Sequence, residues 1–132
     1  NDFAVFRAFC DAEIAMSAHV LFEAIDPYSA ASTSKKLVDI IRNDIKFSGL
    51  LLSDDISMAA LPGNIKKRTT NLIEAGNDVI LHCNGKLFEM KEIIESGVVP
   101  NTLTLSRMSS VIEERKKIEH TKIENLESSQ SS

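Results

Sequence analysis

No apolar run in this 132-residue chain approaches the roughly 18–20 residues that a membrane-spanning helix needs. No positively charged stretch precedes a short apolar segment near the start, so a secretion signal is not expected either. A basic surplus is missing as well. The formal net charge is −4, and Lys35-Lys36, Lys66-Lys67 and Lys116-Lys117 sit in amphipathic segments where a solvated face accounts for them. Neither a membrane nor a nucleic acid is therefore an expected partner. Cysteine is scarce: Cys10 and Cys83 lie far apart, with no second Cys or His at metal-ligand spacing. That excludes a disulfide framework and a zinc site, and it points to a reducing, cytoplasmic compartment. No metal or other cofactor is expected. No Gly-x-Gly-x-x-Gly or P-loop pattern follows any strand-like run, which counts against a nucleotide-binding sheet.

What is present is ordinary for a folded protein, with 43% hydrophobic and 26% charged residues. The length suits one small domain or a piece of a larger one, since a parallel α/β barrel takes roughly 250 residues. The chain starts at Asn1 without Met, inside a helix-like pattern, so a processed or truncated product is expected.

Phe3, Phe6 and Phe9 recur at helical spacing, which predicts a helix over 3–10 whose aromatic stripe packs into a core. Ile14 to Val20 reads as a strand buried on both faces, and Asp26-Pro27 as a loop. Ser32-Thr33-Ser34 supplies an N-cap for a helix that places Leu37, Val38, Ile40, Ile41 and Ile45 on one face. Gly49 to Ser53 is an apolar strand that stops at the acidic pair Asp54-Asp55. A second helix follows from Asn64 to Ala75 with Gly76 as its C′ residue, then a strand, Asp78 to Asn84, that again ends in polar residues. Helices over 87–96 and 105–119, the latter capped by Thr104, complete the pattern. Residues 120–132, ending in a Ser-rich run, read as a disordered tail.

Three strands separated by single helices define consecutive βα units with parallel strands and right-handed connections. The fold class is α/β, a doubly wound sheet or part of a (β/α) barrel. In either, ligands meet the C-terminal strand ends, where His19, Asp54-Asp55 and His82-Cys83-Asn84 fall. Adjacent strand residues point to opposite faces, so Asp54 and Asp55 should not form an acid/base couple. A carboxylate at such a position can attack an anomeric carbon; equally, strand-to-helix turns carry Asp as caps. His19 can line a pocket or serve as a structural hydrogen-bonder, and His82 reads as a tolerated barrel residue.

Taken in order, Met16-Ser17-Ala18-His19-Val20, Ile25-Asp26-Pro27, Phe47-Ser48-Gly49, Ser53-Asp54-Asp55-Ile56-Ser57-Met58, Glu74-Ala75-Gly76-Asn77-Asp78 and Cys83-Asn84 resemble motifs of bacterial β-N-acetylhexosaminidases of glycoside hydrolase family 3. The resemblance covers about residues 3 to 115. It implies the C-terminal portion of a TIM-like barrel over 1–119, about three of whose parallel strands are present. It further implies a retaining hydrolase that releases terminal non-reducing β-N-acetylglucosamine, from muropeptides in cytoplasmic cell-wall recycling. Carried across by motif, Asp54 is the nucleophile, and His19 and Met58 are substrate-binding candidates. Asp55, where glucose-specific relatives have Trp, favours the hexosaminidase branch. The family's acid/base Asp-His pair and its Lys-His and Pro-Gly-His-Gly stretch have no counterpart in this sequence. The expected partners are thus an N-acetylglucosamine-containing glycan and a separately encoded N-terminal half, or a second copy joined through open strand edges. A non-catalytic half-barrel module is the alternative.

Overall fold

The computed structural model describes residues 3–130 and divides the chain into two compact units, Asn1–Pro100 and Asn101–Ser132. The first holds a three-stranded parallel sheet in the order β1 (Ile14–Ser17), β2 (Leu50–Asp55), β3 (Val79–Leu81). Its helices are α1 (Ala4–Arg7), α2 (Lys35–Asp39), α3 (Ile65–Ala75) and α4 (Leu87–Glu95). The α/β class and the parallel strand order expected from the βα repeats are both present. The second unit is one helix, α5 (Thr102–Gln130). It starts three residues earlier than Leu105, because Asn101 rather than Thr104 caps it: Asn101 Oδ1 accepts from the Thr104 amide at 2.9 Å. It also runs beyond Glu119, where the amphipathic pattern stops; Ser131 and Ser132 of the expected tail lie outside the described residues.

Helix α2 is capped as expected, with Ser34 Oγ accepting from the Leu37 amide. It buries Leu37 and Val38 and leaves Lys36 and Asp39 in solvent. Its continuation, Ile40–Asp44, widens into a π turn closed by the Ile45 amide on the Ile40 carbonyl. The turn lets Arg42 reach back under the sheet. There its guanidinium donates to the Phe47 and Gly49 carbonyls and, at 2.6 Å, to Asp78 Oδ2. Asp78 also accepts from the Leu51 amide, so the ion pair locks the starts of β2 and β3 together. Gly49 has a steric reason to be glycine: a Cβ there would lie 2.4 Å from the Ala12 carbonyl oxygen and 2.5 Å from that of Glu13. Gly76 ends α3 in the left-handed conformation at φ 111°, as its C′ position requires.

Two apolar clusters join sheet and helices, one around Val38, Ile45, Phe47, Leu51 and Ala75, the other around Ile56, Leu61, Ile65 and Leu72. Two expectations about apolar surface are corrected. The aromatic segment is a single short helix with no buried residue, and Phe6 and Phe9 are 58% and 66% exposed; only Phe3 is half-buried, against Phe22. The first strand, read as buried on both faces, is not. Leu50 and Leu51 are buried, and Leu52 and Val79 to Leu81 are half-buried. The exposed strand apolar residues are Ile14 and Met16, on an edge strand with no partner on its outer side among the described residues.

Candidate active site

The register between β1 and β2 is regular from Ile14↔Leu50 to Ser17↔Ser53. Between β2 and β3 it is not: Leu52 pairs Val79 but Asp55 pairs Leu81, so β2 carries one extra residue across Ser53-Asp54. Such bulges re-aim side chains at strand ends. Leu51 belongs to the core cluster on the helix side, so alternation puts Leu52, before the bulge, on the opposite face, with Met16 beside it.

The two carboxylates of the acidic pair have different surroundings. Asp54 Oδ1 accepts from the Asp55 amide at 2.8 Å, and its other oxygen has no partner among the described residues. Asp55 is fully committed: its oxygens accept from the Ser57 amide at 3.0 Å, the Ser57 hydroxyl at 2.6 Å and the Cys83 amide at 3.1 Å. Burial works to raise the Asp55 pKa, but the Ser57 hydroxyl and the two amides outweigh it and hold the carboxyl below its ordinary value. Asp55 thus closes the turn after β2 and ties it to the end of β3.

His19 is held at both ring nitrogens. Nε2 faces the Asp55 carbonyl at 3.0 Å; a carbonyl only accepts, so Nε2 carries the proton and Nδ1 accepts from the Ser32 hydroxyl at 2.6 Å. The imidazole therefore ties the loop after β1 to the end of β2. Met58 is 41% exposed in the turn after β2, and its carbonyl and that of Ile56 accept from Arg68 Nη1. His82 lies elsewhere. Ile80 packs against the helix-side cluster, and His82, two residues on, shares that side, with Nε2 donating to Glu89 Oε2 at 2.9 Å. That bond and one from Asn84 hold the Glu89 carboxyl below its ordinary value. His82 anchors α4.

Pattern reading missed the group that fixes these strand ends. Asn77 is 4% exposed; its Oδ1 accepts from the Ser17 hydroxyl at 2.6 Å, and its Nδ2 donates to the Ser32 and Leu72 carbonyls, both at 2.7 Å. Through Ser32 it continues to His19. The signal was a polar residue between a helix-ending glycine and an apolar strand.

A family model described as the glycosyl hydrolase family 3 N terminal domain matches residues 1–113. The chain belongs to glycosyl hydrolase family 3. This is the family that the ordered motifs resemble. A β-hexosaminidase of Nitrosomonas eutropha is 40% identical over 88 residues, covering 64% of this chain and 25% of its own. A β-hexosaminidase of Vibrio cholerae is 34% identical over 112 residues, covering 80% and 34%. The solved family 3 β-N-acetylglucosaminidase of Paenibacillus sp. shares the fold, with a TM-score of 0.77 at 23% identity over 87% of this chain and 25% of that one. The chain spans about a quarter to a third of the length of these relatives. Among the described residues, no helix is long and apolar enough to cross a membrane.

Proposed function

We propose that this family 3 chain carries the nucleophile-bearing part of a retaining β-N-acetylhexosaminidase barrel, with Asp54 as the nucleophile. Its substrate is a terminal β-linked N-acetylglucosamine, on a muropeptide in cytoplasmic peptidoglycan recycling. The single observation that carries this reading is the divergence of the acidic pair: Asp55 is consumed by the turn, whereas Asp54 keeps one oxygen oriented by a backbone amide and the other without a partner among the described residues. Names of relatives that are β-hexosaminidases support the sugar class.

In this mechanism the open Asp54 oxygen bonds to the anomeric carbon as the glycosidic C–O bond breaks. The departing oxygen takes a proton from a general acid, and water later releases the sugar with retention. The acid comes from the family's Asp-His loop, which these 132 residues do not contain. Without it, about 10²–10⁴-fold in rate is forfeited. His19 and Met58 border the end of β2 as substrate-contacting candidates, His19 through its ring edge because both nitrogens are occupied.

The test uses 5-fluoro-N-acetylglucosaminyl fluoride. Fluoride leaves without protonation, so trapping isolates attack by the nucleophile from the general acid. Mass spectrometry of the chain combined with a supplied N-terminal half should find the adduct on Asp54, and the same mixture should turn over a fluorogenic β-N-acetylglucosaminide. An adduct on another residue, or turnover that survives Asp54→Ala, overturns the assignment. With neither adduct nor turnover, the chain is instead a non-catalytic half-barrel module.

A further inference from the structure

The pleat of β2 does not set the direction of the Asp54 side chain. The register against β3 gains one residue between Leu52 and Asp55, and across such a bulge the alternation of faces no longer holds. The hydrogen bonds of the bulge itself therefore decide where the carboxylate points.

Those bonds converge on a single peptide group, the one joining Asp54 to Asp55. Its carbonyl accepts from the Ser53 hydroxyl at 2.8 Å, and its N–H donates to Asp54 Oδ1 at 2.8 Å. A peptide group is a rigid plane, so fixing its carbonyl end also fixes the direction of its N–H. The Ser53 hydroxyl is in turn anchored to the next strand, where it accepts from the Leu81 amide at 3.3 Å. Ser53 is 0% exposed, and a hydroxyl removed from water needs such partners to offset its desolvation. Beyond the peptide, the rest of Asp55 is held as well: its carbonyl accepts from His19 Nε2, and its carboxylate accepts from Ser57 and the Cys83 amide. The donor that orients Asp54 thus has little freedom as long as Ser53 keeps its hydroxyl.

We infer that Ser53 is a positioning residue for Asp54, its hydroxyl fixing the peptide plane whose N–H aims the Asp54 carboxylate. Removing that oxygen leaves the Asp54 carbonyl without this donor and the Leu81 amide without this acceptor. The plane can then turn, and the N–H turns with it away from Oδ1. The inference rests on the reading of Asp54 as nucleophile, and the test carries one readout that needs no activity.

Ser53→Ala and Ser53→Thr are made in the full chain. Three-bond couplings to the Asp54 carboxylate carbon report its χ1 angle; the parent and Ser53→Thr, which keeps the hydroxyl, should each show one rotamer, and Ser53→Ala an average. The second readout is trapping by 5-fluoro-N-acetylglucosaminyl fluoride in the same mixture with the N-terminal half. Ser53→Ala should lower the saturating trapping rate about 10–100-fold and change the half-saturating concentration less than about twofold, and Ser53→Thr should recover most of the rate. A role confined to stability changes the folded fraction, read by circular dichroism, and does not produce this split. Parent-like couplings in folded Ser53→Ala overturn the inference whether or not the parent is trapped; where the parent is trapped, a parent-like rate does so too. Should Ser53→Ala not fold, averaged couplings in folded Ser53→Thr overturn it. A parent that is not trapped, with couplings that change as expected, sinks the nucleophile reading and leaves the hold of Ser53 on the Asp54 carboxylate standing.

Discussion

Replacing Asn77 by Ala removes three buried hydrogen bonds at once: to the Ser17 hydroxyl and to the Ser32 and Leu72 carbonyls. The partners do not suffer equally. Ser17 keeps a bond to the Leu52 carbonyl at 3.2 Å, and the Leu72 carbonyl still accepts from backbone amides, including that of Asn77 at 3.3 Å. The uncompensated loss falls mainly on the Ser32 carbonyl. At about 1 kcal/mol per bond the variant should be destabilised by about 3 kcal/mol. For a unit of this size that corresponds to a fall in Tm of roughly 12–24 °C. Chemical denaturation followed by circular dichroism measures it. Asn77→Asp is the sharper control, because it keeps the shape but turns an acceptor oxygen toward two carbonyls. It should cost at least as much at neutral pH. Its buried carboxyl has a raised folded-state pKa, so protonation restores a donor and the deficit should shrink as pH falls. A loss under about 0.5 kcal/mol in both variants, the range of an ordinary surface change, would refute the idea that Asn77 organises the strand ends.

Gly49→Ala should lose about 1–3 kcal/mol or more, because its Cβ meets fixed carbonyls at 2.4 and 2.5 Å rather than a movable side chain; loss of amide protection in β1 would show where the clash acts. Asp78→Ala leaves the Arg42 guanidinium, 16% exposed, without its carboxylate and should cost about 3–5 kcal/mol, read from urea midpoints. Asp55 has a folded-state pKa below the ordinary Asp value of 3.8, so its stabilisation is fully present above that value and is lost as pH falls through the folded one. Asp55→Asn should therefore flatten the acid limb of the stability curve below about pH 4; an unchanged limb contradicts the assignment. Cys10 is held above the ordinary thiol value by its hydrogen bond to Asp11. At a given pH below its pKa it should alkylate more slowly than a model thiol, as peptide mapping after brief iodoacetamide treatment would show.

The helices and strands were legible because their signals are local. Ser34 caps as sequence reading expects, Gly76 takes the left-handed C′ conformation, and the apolar faces of α2 and α3 are the buried ones. Phe6 and Phe9 misled because helical spacing specifies which residues share a face, and not whether anything covers it.

By itself the sequence determined the family, through the order and spacing of its motifs, and the α/β repeat, through hydrophobic periodicity. Only the tertiary structure decided the work of individual polar groups. The bulge beside Asp54, the two-sided tether of His19 and the engagement of Asn77 with Ser17 and Ser32 all join residues far apart in the chain. Hydrogen bonds act over about 3 Å. Which donor meets which acceptor is therefore set by how the strands come to lie side by side, and no local pattern encodes that.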